Sequence, residues 1–335
     1  VPNKLELLTA GIKMSTKTMK ALRFQEFGPP AVLSFQDLPL PVLHDDEVLV
    51  QVKASSINPS DIATVAGRFH SKLPMTPGRD FAGLVVAGGA WTGKQVWGTG
   101  SGFGVVRPGA HAQFVTLPSS WLSEKPEALS LEQAAAVGVP YITAWQSLIE
   151  VGHLQKGERL LITGAAGAVG SAAIQIAHWK GASVVAADIV QAAPEADVFV
   201  NLKEADLASA ARQATGGHGV DMVLDTVGGN LFNSCLRSLR VGGRQIAITN
   251  SAGPAAEVHL NLTDFYHNQS HLIGVDTQKL TGPEIAAIMN HLREVFLAGF
   301  LRVSQIEANP FEKAIEAYTK VAERKTRTKQ VLVFG

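Results

Sequence analysis

The segment Arg159-Leu160-Leu161-Ile162-Thr163-Gly164-Ala165-Ala166-Gly167-Ala168-Val169-Gly170 constrains the fold most, because a short apolar run breaks into small residues and then turns amphipathic. This reads as a strand, a tight turn and a helix. Small residues let the turn backbone approach a pyrophosphate, and the N–H groups and positive dipole end of the following helix stabilise its charge. Val169, Ala172, Ala173, Ile176 and Ala177 keep the spacing of one buried helix face, and Gly181 closes that helix before the apolar run Ser183 to Ala187. Asp188 ends the run, where a dinucleotide site hydrogen-bonds a ribose hydroxyl.

Beyond Asp188 the chain alternates as a doubly wound parallel sheet does. Val198 to Val200 reads as a strand, Leu207 to Gln213 as a helix and Met222 to Leu224 as a strand. A helix over Asn230 to Leu239, a turn over Val241 to Arg244, a strand over Gln245 to Thr249 and a sixth strand over Leu272 to Val275 follow. The spacing from Asp188 to Asp197 is too short for a full crossover helix, so that link is expected to be a shortened helix or a loop. Gly164, Ala165, Gly167, Ala168, Val169 and Gly170 are the expected pyrophosphate cradle. Asp225, Thr226 and Val227 after the fourth strand, Asn250 and Ser251 after the fifth, and Gly274, Val275 and Asp276 at the sixth are expected to line the nucleotide crevice. Asp188 repels a 2′-phosphate, and no Arg or Lys stands between it and Lys203, which favours NADH.

The rest of the chain has a different texture. From Met19 to about Leu117 short alternating strands are separated by Pro and Gly turns, over Glu47 to Lys53, Phe81 to Ala87, Lys94 to Trp97 and Ala110 to Leu117. Leu131 to Ala136 and Tyr141 to Ile149 read as helices leading into the nucleotide motif. Helices over Pro283 to Ala298 and Pro310 to Ala322 and a strand over Gln330 to Phe334 close the chain, the last two expected to rejoin the β-rich domain. Residues 1–18 read as a leader or tag-like extension, lacking the apolar core and cleavage site of a signal peptide. With zero formal net charge and no apolar run near the ~20 residues of a membrane span, neither nucleic acid nor membrane is an expected partner. A cytoplasmic setting is the default. Cys235 is the only cysteine, which rules out an internal disulfide and a cysteine-cluster zinc site.

Several segments carry a resemblance. Met19-Lys20-Ala21, Ile57-Asn58-Pro59-Ser60-Asp61, Pro77-Gly78-Arg79-Asp80-Phe81-Ala82-Gly83, Val139-Pro140-Tyr141-Ile142-Thr143-Ala144-Trp145, Asp225-Thr226-Val227-Gly228-Gly229 and Lys329-Gln330-Val331-Leu332 occur in the order seen in the medium-chain dehydrogenase/reductase superfamily. From Met19 onward the chain resembles its zinc-free quinone oxidoreductase branch, to which zeta-crystallin belongs. The resemblance implies a discontinuous β-rich, GroES-like catalytic domain over residues 19–140 and 299–335, and a Rossmann domain over 141–298. It also implies NADPH as the common dinucleotide of the family, a small-molecule quinone or carbonyl substrate, and a homodimer paired through Asp264 to Val275. Zinc-dependent members carry a histidine and a glutamate where Arg79 and Asp80 stand, and a cysteine near Asn58; a guanidinium cannot ligate zinc, so no metal is expected.

Without a Lewis acid, hydrogen-bond donors must stabilise the oxyanion or enolate that hydride transfer creates. The resemblance implies Asn58 as a substrate-pocket amide, against an Asx-type turn before Pro59. Asp61 either orients a neighbouring donor or caps the following helix. Zeta-crystallin-like relatives place tyrosines where Ala63 and Phe69 stand, leaving Tyr141 as the nearest phenol by motif; it donates a proton or packs at the domain junction. Thr143 either contacts the nicotinamide or its ribose, or caps a helix. An alcohol dehydrogenase-like enzyme with an atypical metal site, and a non-catalytic NAD(P)-binding structural or regulatory protein, are the alternative readings.

Overall fold

A computed structural model describes residues 18–190, 195–250 and 257–335. They divide into two compact units, one running to Gly138 and including Leu280–Glu294 and Gln305–Gly335, the other Val139–Lys279 with Val295–Ser304. The first is β-rich. Strands β1 (Thr18–Arg23) and β2 (Ser34–Pro39) pair antiparallel. Strands β3 (Glu47–Ser56), β4 (Phe81–Ala87), β5 (Gln95–Gly98) and β7 (Ser123–Glu124) join β14 (Ile306–Pro310) and β15 (Lys329–Val333) in the order β14-β15-β3-β4-β5-β7, and β6 (Phe114–Pro118) also pairs with β3. The alternation Val48, Val50, Val52, Ala54 buries one face of β3, where Leu22, Phe81, Leu117, Tyr318 and Leu332 complete the core. Helices α1 (Pro59–Val65), α2 (Leu131–Ala135) and α9 (Ala314–Ala322) belong to this unit.

Three strands were not expected from sequence. β2 is a half-exposed ribbon with no fully buried residue, β7 is two residues long, and only one residue of β14 is buried. Such strands leave little hydrophobic pattern. The domain boundary expected near residue 298 also differs, because Leu280–Glu294 packs with the β-rich unit. Gly282 lies so close to Trp121 that a Cβ would fall 2.2 Å from its ring, and Asn290 Oδ1 accepts from Ser123 Oγ at 2.8 Å.

The second unit holds a six-stranded parallel sheet. Helix α3 (Gly138–Trp145) continues into a π-helical turn over Gln146–Val151, ahead of β8 (Arg159–Thr163). Next come α4 (Ala168–Lys180), β9 (Ser183–Asp188), β10 (Val198–Asn201), α5 (Leu207–Ala214), β11 (Val220–Asp225), α6 (Phe232–Ser238), β12 (Leu239–Ala247), α7 (Leu262–His267) and β13 (His271–Gly274). Helix α8 (Gly282–Leu297) follows. The strand order β10-β9-β8-β11-β12-β13 reverses direction between β8 and β11, the switch point at which an open parallel sheet binds ligands. Among the described residues between β9 and β10 none is helical, yet Asn201 pairs in register with Asp188. The turn expected over Val241 to Arg244 is instead a bulge inside β12: the register against β11 shifts between Val220 and Met222, and Gly242 takes φ 72°. Among the described residues no helix is long and apolar enough to cross a membrane.

Candidate functional site

The glycine turn joins β8 to α4, and its glycines are required by contact. Gly164 has φ 63°, and a Cβ there would lie 2.4 Å from Thr226 Oγ1; at Gly170 a Cβ would meet the Gly164 carbonyl oxygen at 2.5 Å. Gly167 is the N-cap of α4, with Ala168 and Val169 opening its first turn. The turn is braced by Asp188, whose carboxylate accepts N–H bonds from Ala166 at 3.0 Å, Ile189 at 2.7 Å and Val190 at 3.2 Å. Ala165 is buried beneath it. The cradle fits a pyrophosphate: backbone at a helix N-terminus, room that side chains would fill, and an acid at the tip of the next strand.

Asp225 is buried and works within the protein. Its Oδ1 accepts from Thr163 Oγ1 at 2.8 Å, Val227 N–H at 3.1 Å and Gly228 N–H at 2.9 Å, tying the carboxyl ends of β8 and β11 together. Val227 is therefore held by its backbone. Asn250 follows β12, while Ser251 lies outside the described residues. Gly274 ends β13, Val275 N–H donates to the Ala247 carbonyl at 3.0 Å, and Asp276 accepts from Gln278 N–H at 3.0 Å.

Two motif residues of this unit have defined surroundings. Tyr141 donates its phenolic proton to the Arg302 carbonyl and accepts from Gln175 Nε2 at 3.3 Å, and burial keeps the phenol protonated by pushing its pKa up. Thr143 sits inside α3 and not at its end, so the helix-capping alternative falls.

In the β-rich unit a cluster of buried polar side chains gathers around Asp80. Its Oδ2 accepts from Ser56 Oγ at 2.9 Å and Asn58 Nδ2 at 2.8 Å, its Oδ1 accepts from Thr99 Oγ1, and its carbonyl accepts from Ser55 Oγ at 2.5 Å. The Asn58 oxygen accepts from Lys329 Nζ, which stands 3.9 Å from Asp80 Oδ2. Asn58 is the N-cap of α1, and Asp61 at N3 accepts the Asn58 backbone N–H at 2.8 Å, the returning half of a capping box. Asp61 thus caps the helix from within its first turn. Its Oδ1 faces Arg79 Nε at 3.7 Å, and neither atom has a hydrogen-bond partner. The Arg79 guanidinium lies over the Phe69 ring, 4.9 Å from its centroid, and donates to Thr64 Oγ1 at 3.3 Å. Behind the cluster Tyr318 and His111 Nδ1 share a 2.8 Å hydrogen bond, and His111 Nε2 is 3.3 Å from the Ser56 carbonyl.

Comparisons with known proteins match this arrangement. Residues 44–127 fit the alcohol dehydrogenase GroES-like domain and residues 168–293 the zinc-binding dehydrogenase domain. The quinone oxidoreductase of Pongo abelii is 30% identical over 315 residues, covering 91% of this chain and 94% of that protein. A zinc-type alcohol dehydrogenase-like protein of Schizosaccharomyces pombe is 31% identical over 312 residues, covering 90% and 94%. The crystal structure of AibC superposes with a TM-score of 0.87 at 26% identity, covering 96% of this chain and 98% of that one. The chain belongs to the quinone oxidoreductase branch of the medium-chain dehydrogenase/reductase superfamily.

Membership makes the chain an oxidoreductase that binds NAD(P), and the matched dehydrogenase domain begins at Ala168, within the glycine turn. Among the described residues of this chain, no three or more His, Cys, Asp or Glu side chains converge as a metal site. Lys329, Thr99, His111 and Tyr318 were missed as members of one cluster. Lys329 stands in sequence as part of a terminal motif; a lysine heading a strand that ends in Val331-Leu332-Val333 is the available signal, whereas nothing local marks Tyr318.

Burial governs the titration of this cluster. His111 is held neutral, its pKa lowered to about 3 chiefly by burial, so on acidification below its ordinary value the unfolded chain takes up a proton that the native state refuses. Asp61 behaves oppositely: burial outweighs the Arg79 charge and raises its pKa to about 6. Stability from protonated Asp61 is present below the ordinary carboxylate range and is lost as pH rises through about 6. Asp61→Asn keeps an acceptor for the Asn58 N–H, so its stability relative to wild type should rise by about 3 kcal/mol between about pH 4 and pH 8. Denaturant unfolding across that range measures it; a difference independent of pH would contradict the assignment.

Proposed function

We propose that this oxidoreductase transfers hydride from NADH to a quinone or α,β-unsaturated carbonyl without zinc. The observation that carries the reading is the cluster around Asp80, in which Arg79, Asn58 and Lys329 gather hydrogen-bond donors and positive charge. In zinc-dependent relatives the positions of Arg79 and Asp80 carry metal-ligating side chains; here one is a guanidinium, which offers no lone pair to a metal. Bound nicotinamide supplies the hydride, and the glycine turn with Asp188 holds the dinucleotide. Thr143, Asn250, Gly274, Val275 and Asp276 are proposed to flank its nicotinamide end. The Asp188 carboxylate supports NADH because it opposes a 2′-phosphate and the sequence up to Lys203 offers no cation to offset it.

Asn58 serves in this proposal as the donor to the substrate oxygen. Phe69, where relatives carry a tyrosine, stacks on Arg79 and donates no proton, which favours a compact, apolar enone over a substrate needing a phenolic acid. The test is a panel of 1,4-naphthoquinone, crotonyl-type enones and simple aldehydes with NADH and with NADPH. Turnover of the first two classes with NADH is expected; NADPH preference would overturn the cofactor assignment. Dinucleotide binding without turnover of any acceptor would favour the non-catalytic reading.

A homodimer is part of the same proposal. Strand β13 is an edge of the parallel sheet, and Leu272 is 43% exposed, with Leu262 at 67% and Tyr266 at 58% on the preceding helix. An apolar edge strand left uncovered is an association liability. Sedimentation at micromolar concentration should give twice the chain mass; a monomer would reject pairing through this edge.

A further inference from the structure

Lys329 is a buried ammonium whose one hydrogen bond among the described residues goes to an amide oxygen. Its side chain is 10% exposed, its Nζ donates to Asn58 Oδ1, and its nearest carboxylate oxygen, on Asp80, lies at 3.9 Å, beyond hydrogen-bond reach. Asp80 already accepts from Ser56, Asn58 and Thr99, so its carboxylate is held by those donors and the lysine is directed at the amide. Burying an ammonium without a full set of partners is costly, and an apolar side chain at the head of β15 would fill the space without that cost.

The consequence lies in Asn58. An asparagine amide presents an oxygen on one side and two N–H groups on the other, and only its surroundings decide which way it faces. Here Oδ1 meets an ammonium and Nδ2 meets a carboxylate at 2.8 Å. Flipping the amide would set N–H against N–H and oxygen against oxygen. One Nδ2–H is engaged by Asp80, and the second has no acceptor among the described residues.

We propose that Lys329 is a positioning residue for the reduction: it locks the Asn58 amide so that its second Nδ2–H is the one offered to the substrate oxygen. This rests on the proposed reductase reading. Lys329 acts through Asn58 and takes no covalent part. The charged groups around it are Asp80 and Asp61, whose carboxylates favour the ammonium, and Arg79, while His111 is neutral behind them. Burial lowers the pKa of Lys329 against those two acids, so alkaline pH removes the charge that holds the amide.

A double-mutant cycle tests the coupling. Lys329→Met and Asn58→Leu should each lower kcat/KM for the best enone or quinone by about thirtyfold, and the double variant should be no slower than Asn58→Leu alone. Lys329→Arg should recover part of the loss and move the alkaline fall of kcat/KM upward, while Asn58→Leu should abolish that fall. Multiplicative losses, or full activity in Lys329→Met, would overturn the proposal. A second readout needs neither turnover nor substrate. In 15N-asparagine-labelled protein, Lys329→Met should speed hydrogen exchange at the Asp80-bonded Asn58 Nδ2–H about tenfold; if that variant fails to fold, raising the pH should speed this exchange more in the wild type than in Lys329→Arg, whose guanidinium stays charged. Unchanged exchange would overturn the positioning role even in an inactive protein. Absence of wild-type turnover with normal exchange coupling would instead count against the reductase reading alone.

Discussion

The buried carboxylate of Asp80 organises the β-rich unit. It receives hydroxyls from Ser56 at the end of β3 and Thr99 after β5, and the Asn58 amide from the cap of α1, so one side chain fixes three segments. Gly138 approaches so closely that a Cβ would lie 2.2 Å from Asp80 Oδ1, which leaves only glycine at that position. A buried charge persists only when its lone pairs are met and opposite charge is near. Lys329 supplies the charge to Asp80, as Arg79 does to Asp61, and Asn58 is ordered between Lys329 and Asp80. In the proposed reading these ordinary side chains form the donor site.

The nucleotide unit follows the same logic with acids that face inward. Asp188 braces the glycine turn through backbone N–H groups, and Asp225 binds the ends of β8 and β11 through Thr163, Val227 and Gly228. Each carboxylate stiffens backbone around the switch point of the sheet, where a rigid cradle holds a dinucleotide with little further ordering on binding.

The parallel sheet was legible because its strands are continuous apolar runs separated by helical periodicity, and Gly164, Gly170 and Gly181 punctuate them. Gly181 does take the left-handed cap conformation, at φ 79°. The bulge in β12 was not legible, since Gly242-Gly243 reads equally as a turn when the partner strand is unknown. Asn58 and Asp61 stood out through their adjacency to Pro59. Their partners Asp80, Thr99 and Lys329 come from distant segments, and only the register of β15 on β3 and β4 on β5 brings them together. Tyr141 shows the converse: a motif residue whose neighbours, Arg302 and Gln175, tie up its hydroxyl.

The central claim is that side-chain donors, and no metal ion, stabilise the charge that builds on the reduced substrate. Its most direct test is turnover of an enone or quinone by protein dialysed exhaustively against a chelator, with zinc measured in the same sample by elemental analysis. The account predicts undiminished turnover at substoichiometric zinc. Activity that disappears with the metal and returns in proportion to added zinc would contradict it.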